Sequence, residues 1–182
     1  MQKIMFNDKY GLTKAVLEGR KTMTRRAVPE KLIRAIEGGA PGFAVMESKY
    51  KVGEVVAVAQ SYHALNKAGF VAPELCEHTC EDSPGYSNKM FVRADLMPYQ
   101  IRITNVRVER MQDLSDEDCM KEGIFWDYGD YPYMATKMYK YNDKDEYIHP
   151  KSAFAALIDK VSGKGTWDRN PWVFVYEFEL VK

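Results

Sequence analysis

The sequence predicts an α+β fold, a small barrel or curled, mostly antiparallel sheet with a few flanking helices. Three observations carry this. QIRITNVRVER (100–110) and WVFVYEFELV (172–181) alternate their side chains with the period of strands. Helical spacing is confined to short segments, of which PKSAFAALIDKVSG (150–163) is the clearest amphipathic one. Two long runs, about 61–98 and 125–149, show neither period, and within a compact domain such runs are functional loops or insertions. At 182 residues, with no internal repeat, the chain suits a single domain over residues 1–182 carrying both insertions.

Taken in order, KIMFN (3–7) opens as a short strand, and Asn7 or Asp8 caps a helix to about Glu18 with Leu12, Ala15 and Val16 at helical spacing. Gly19 sits just past that helix, and the stretch from Thr22 to Arg26 is extended. PEKLIRAIEGG (29–39) forms a second helix between Pro29 and the stop at Gly38-Gly39. A turn around Gly53 leads into a buried strand from Val55 to Gln60. In the strand at 100–110 the apolar face slips from Ile101 and Ile103 to Val106 and Val108, which requires a bulge near Asn105. LSDEDCMKEGI (114–124) places Ser115 and Asp118 as a capping box, with the helix running to about Glu122 and ending at Gly123. A helix spans Pro150 to about Val161. The closing strand shows Trp172, Phe174, Tyr176 and Phe178 on one face and Val173, Val175 and Glu177 on the other.

The 26 basic and 26 acidic side chains cancel. That excludes a sequence-blind nucleic-acid coat, whose affinity sums phosphate contacts, and leaves a local basic pocket open. The start, MQKIMFNDKY, holds no apolar core for a signal peptide, so a cytoplasmic protein with no membrane partner is expected. Three cysteines, Cys76, Cys80 and Cys119, make a disulfide framework a poor reading.

One turn concentrates charge. In LEGRKTMTRR (17–26), four of the seven residues after Gly19 are basic, with Thr22 and Thr24 among them. Cations beyond a helix C-terminus interact favourably with its dipole, so Arg20, Lys21, Arg25 and Arg26 fit a solvated helix end. They also fit a site: a lysine crowded by arginines has a lowered pKa, and a neutral amine can take a proton from a threonine hydroxyl. Residues three apart in a regular strand face opposite ways, so Lys21 and Thr24 share a pocket only if the chain turns or bulges between them.

GRKTMTRR resembles the signature of the ASCH domain, a relative of the PUA RNA-binding domain, through Gly19, Lys21 and Arg26, with Thr22 and Thr24 matching a common version of the intervening stretch. YKVGEVVAV, ITNVRVERMQDLSDEDCMKEGI and GKGTWDRNPWVFVYEFELV resemble further blocks of the longer ASCH proteins, often encoded by phages and prophages. The resemblance implies a PUA-like β-barrel with a cleft beside the signature that binds RNA or a nucleotide or modified nucleoside. Gly19, Arg20, Thr22, Arg25 and Arg26 would then contact the ligand. It also implies an alternative, amide hydrolysis of an N4-acetylcytidine-like nucleoside, as a small bacterial branch performs. Carried over by motif, Lys21 and Thr24 are the lysine and threonine of that chemistry and Glu122 its glutamate, with Glu117 as the fallback. No cofactor and no metal is needed. The longer relatives often carry a glutamate just after the VGEVVAV strand, where this chain has Gln60, which cannot ionise. A third class is a phage structural or morphogenetic protein, since zero net charge and exposed tyrosines suit protein partners.

Two further stretches carry chemistry on paper. CEHTC offers Cys76, His78 and Cys80, with His63, as zinc ligands, but the spacing is not that of a zinc knuckle and a reduced, metal-free loop is the expectation. FWDYGDYPYMATKMYKY (125–141) interleaves aromatic and basic residues as base-stacking surfaces do, or docks a loop through its tyrosines. Trp167 and Trp172 are expected as core and turn anchors, with Asp168 and Arg169 exposed.

Overall fold

A computed structural model of the chain describes residues 1–70, 82–128 and 136–181. It is α+β. Strands β1 (Lys3–Ile4), β2 (Met23–Ala27), β3 (Val55–Val58), β4 (Gln100–Arg110) and β7 (Trp172–Leu180) form one sheet in the order β1-β3-β4-β7-β2. Every pairing is antiparallel except β1 with β3. The hydrogen-bonded ladder does not close, because among the described residues β1 and β2 remain its two edges. The edges are nonetheless neighbours: Arg26 Nη2 of β2 donates to Met5 O just beyond β1, at 2.5 Å.

The register follows from burial. β4 bulges between Ile103 and Asn105, and that extra residue returns Val106 to the face already holding Ile101 and Ile103, all three buried. In β7, between β4 and β2, Val173 to Tyr176 are buried on both faces of the sheet, whereas simple alternation makes only one face apolar.

Helices α1 (Leu12–Leu17), α2 (Glu30–Glu37), α3 (Pro41–Met46), α4 (Tyr62–Lys67), α5 (Asp116–Lys121), α6 (Pro150–Ser162) and α7 (Thr166–Arg169) surround the sheet. Three expectations are corrected. The first helix does not begin at Asp8: Asn7 caps a 3₁₀ turn (Asp8–Tyr10), and Gly11, at φ 67°, resets the backbone before α1. The run at 61–98 contains α4, capped by Ser61 Oγ accepting from Ala64 N, and two 3₁₀ turns. Its Tyr62, Leu65, Val92 and Met97 build a small second cluster on Ala57 and Ala59. The run at 125–149 contains a hairpin of β5 (Phe125–Tyr128) and β6 (Lys137–Lys140).

Gly85 shows how tightly the second cluster is held. A Cβ there would stand 2.4 Å from the ring of buried Tyr62, whose hydroxyl accepts from Arg93 N. Gly85→Ala is expected to cost about 1–3 kcal/mol in urea unfolding, the range for overpacking. An unchanged midpoint would mean that the ring can move aside.

The tryptophans anchor as expected. Trp167 packs edge-on to Phe154 and Trp172 lies under Arg110, while Asp168 and Arg169 are exposed. Among the described residues no helix is long and apolar enough to cross a membrane.

Candidate functional site

The basic turn is split: Lys21 and Arg25 are buried, whereas Arg20 and Arg26 are exposed. Gly19, at φ 71°, lets Lys21 N reach back to Ala15 O and so turns the chain out of α1. Thr22 N then donates to Lys121 O at 2.9 Å, which joins the turn to the end of α5. Lys21 precedes β2 and is not part of it, so the geometric condition for sharing a pocket with Thr24 is met.

Beside Lys21 lies Gly123, at φ 102°, so close that a Cβ on it would touch the Lys21 Cβ and Cδ at 3.5 Å. This approach sets the Lys21 ammonium against Glu122. Lys21 Nζ donates to Glu122 O at 2.7 Å and to Glu122 Oε2 at 2.6 Å, with both side chains almost fully buried. The other carboxylate oxygen, Glu122 Oε1, accepts from Arg25 Nη1 at 3.1 Å. Arg25 Nη2 also donates to Glu109 Oε1 at 2.5 Å and to Asp118 Oδ2 at 3.0 Å. Of the three Arg25 nitrogens, Nε alone lacks an acceptor among the described residues. Burial pulls the Lys21 pKa below its ordinary value, Glu122 opposes that, and Arg26 and Arg25 add smaller downward pushes. Desolvation therefore outranks the arginine crowding expected from sequence.

Lys21, Thr24, Arg25, Arg26 and Glu122 line one cavity of about 670 Å³, within the roughly 300–1,000 Å³ of small-molecule sites. Its apolar wall comes from Phe6, Leu12 and the α6 residues Phe154, Leu157 and Ile158. Thr24 is 5% exposed, and its hydroxyl makes no hydrogen bond among the described residues, including none to Lys21. Arg26 is exposed at the rim with its guanidinium 5.8 Å from the Phe6 ring centroid.

Other candidates lie elsewhere. Gly19, Arg20 and Thr22 are absent from the cavity lining. Arg20 bonds Glu18 through two nitrogens and lies over Phe125, while Thr22 gives both backbone groups to ordering the turn. Arg25 lines the cavity, but carboxylates occupy both of its terminal nitrogens. Glu117 is exposed and pairs with Lys121, so it does not replace Glu122. Ser115 Oγ caps α5 by accepting from Asp118 N, but the Asp118 carboxylate goes to Arg25 and Arg107 instead of completing a capping box. Gln60 is buried beside the second cluster, outside the cavity, with its Oε1 unpartnered. Cys76, His78 and Cys80 lie outside the described residues, and His63 bonds the Tyr86 hydroxyl. Among the described residues no three His, Cys, Asp or Glu side chains are grouped to hold a metal.

Glu109 and Asp118 were not signalled by sequence, since they meet Arg25 across 84 and 93 residues. Lys89 was missed for the same reason. It crosses from the 61–98 run to pair with Asp8 and the Phe6 carbonyl at the cavity edge.

Cys119, fully buried in α5, has its thiol pushed up to about 12 by burial and then by Asp116. At pH 8 its thiolate fraction is then about 10⁻⁴. Peptide mapping after iodoacetamide treatment is expected to find Cys119 unmodified in native protein and alkylated in denaturant. Native alkylation would show that α5 opens.

Comparison with known protein families, with curated proteins and with solved structures found no match.

Proposed function

We propose that the chain is an ASCH-type protein that binds a nucleotide or modified nucleoside, free or within RNA, in the cavity beside GRKTMTRR. One observation carries the reading: residues of the signature and Glu122, just past α5 and distant in sequence, line a single cavity together with aromatic and aliphatic side chains. Such a lining suits a planar base, which offers apolar faces and a hydrogen-bonding edge. The PUA-like relation belongs to the same proposal. Its support is the curling of the sheet, by which Arg26 reaches from one edge strand to the chain leaving the other.

Amide hydrolysis is a second reading, favoured by the Lys21–Glu122 contact beside an unpartnered threonine hydroxyl. In that chemistry the proton of the resting ion pair moves from Lys21 Nζ to Glu122 Oε2, leaving a neutral amine and a neutral acid. Thr24 Oγ1 attacks the acyl carbonyl as its proton passes to Lys21. The tetrahedral intermediate collapses, the C–N bond breaks, and the leaving base nitrogen takes the proton from Glu122. Water then cleaves the acyl-threonine ester, releasing the carboxylic acid and restoring Thr24. A water oriented by Thr24 can replace the threonine as nucleophile in the first step. Binding without turnover is the simpler case, since Glu122 also holds Arg25 and the geometry is that of an ion pair.

One experiment separates them. The protein is incubated with N4-acetylcytidine, cytidine release is followed by chromatography, and Lys21→Ala is the control. Release by wild type alone selects hydrolysis. No release, with the ligand still raising the melting temperature, selects recognition. Neither release nor a shift, for the nucleoside or a short RNA, sinks the proposal and directs attention to protein partners.

A further inference from the structure

A second cavity, of about 370 Å³, adjoins the first and shares Met5, Arg26 and Ala27 with it. Its floor is aromatic and rigid: Phe174, Tyr176 and Tyr50 are all at most 4% exposed, with Tyr50 edge-on to Tyr176. Its rim is cationic. Lys3, Arg26, Lys31 and Lys49 line it, and among the described residues none of the four pairs with a carboxylate. Glu47 is the single acidic group there.

Elsewhere Arg25, Arg102, Arg107 and Lys160 each meet a carboxylate at 3.0 Å or less, in a chain whose total charge is zero. Cations left without carboxylates around a concave surface make a local positive field that an anion can neutralise. The Lys3 ammonium is turned to Met90 O and Val92 O, both at 2.6 Å and both outside the lining. Arg26 is held in place at the cavity, where it spends one donor on Met5 O and has the rest of its fork available. Fixed donors lose little freedom on binding.

We infer that the second cavity is a phosphate subsite, which Arg26 couples to the base-binding cavity, so that the ligand is a nucleoside phosphate rather than a bare nucleoside. The inference rests on the nucleotide reading above for the base, but the phosphate site stands on its own residues. A phosphate beside Arg26 takes charge-assisted hydrogen bonds from its guanidinium, with Lys31 and Lys49 closing the exposed side. The base then lies toward Lys21 and Thr24.

The test is calorimetric titration of the full chain with cytidine, cytidine 5′-monophosphate, inorganic phosphate and a short oligocytidylate, for wild type and Lys31→Ala/Lys49→Ala. Both lysines are exposed, so the double variant is expected to fold, as a retained melting temperature checks. The monophosphate is expected to bind about tenfold or more tighter than cytidine, a gain the variant loses while its cytidine affinity is kept. Equal affinities for cytidine and its monophosphate, or a variant that binds both as wild type does, overturns the subsite and leaves the base reading intact. Phosphate binding that the variant loses, with no cytidine binding at all, upholds the subsite and removes the base reading. An oligocytidylate tighter than the monophosphate assigns the phosphate to a polymer backbone, and equal affinity assigns it to a free nucleotide.

Discussion

Glu122→Gln is expected to lower stability by about 3–5 kcal/mol near pH 7, measured by urea unfolding, because it strips the carboxylate from two buried cations. Arg25 keeps Glu109 and Asp118, so most of the cost falls on Lys21. The pH dependence has a definite sign. Burial already holds the Lys21 pKa below its unfolded value, and removing Glu122 deletes the largest upward influence on it. Between the folded and unfolded pKa values the unfolded state binds more protons, so the variant gains stability as pH rises through that window. Its deficit should therefore shrink toward alkaline pH, as Lys21 folds in as a neutral amine. Lys21→Met in the Glu122→Gln background should remove that slope and recover part of the loss. A deficit below about 1 kcal/mol would show that the pair is solvated and that the cavity admits water freely.

If the cleft hydrolyses amides through threonine, Thr24→Ala should reduce kcat by about 10³-fold or more with ligand affinity nearly unchanged. The side chain is buried, carries no partner among the described residues and lines the cavity, so its removal deletes an attacking group without breaking a bond. Thr24→Ser keeps the hydroxyl and should retain most of the rate. Intact-protein mass spectrometry of quenched reactions should detect an acylated wild type. Activity in Thr24→Ala within tenfold of wild type excludes threonine as nucleophile. A large loss with no acyl adduct instead assigns Thr24 to orienting water.

Much of the sheet was legible. Alternation in β4 and β7 is strict enough to read, and even the bulge showed, because Ile103 and Val106 cannot share a face without an inserted residue. The α5 cap and its glycine stop were equally plain. The β5–β6 hairpin was hidden because its strands are four residues each and exposed or half-exposed throughout, with Phe125 and Trp126 adjacent, leaving no apolar alternation. α4 was hidden by its length, since its six residues make fewer than two helical turns. At the site, the resemblance to the ASCH signature pointed to Lys21, Thr24 and Glu122. The carboxylates that occupy Arg25 could not be read, because long-range charge pairing leaves no local periodic trace.

The placement of β7 also has a meaning in time. Among the described residues β2, which carries Thr24 to Arg26, pairs with β7 alone, and β7 occupies residues 172–180. On the ribosome, β2 emerges well before β7 and waits without that partner until the strand that fixes its register exists. The signature turn thus takes its place in the sheet only after β7 has emerged, and a nascent chain halted before Trp172 should leave β2 without its register.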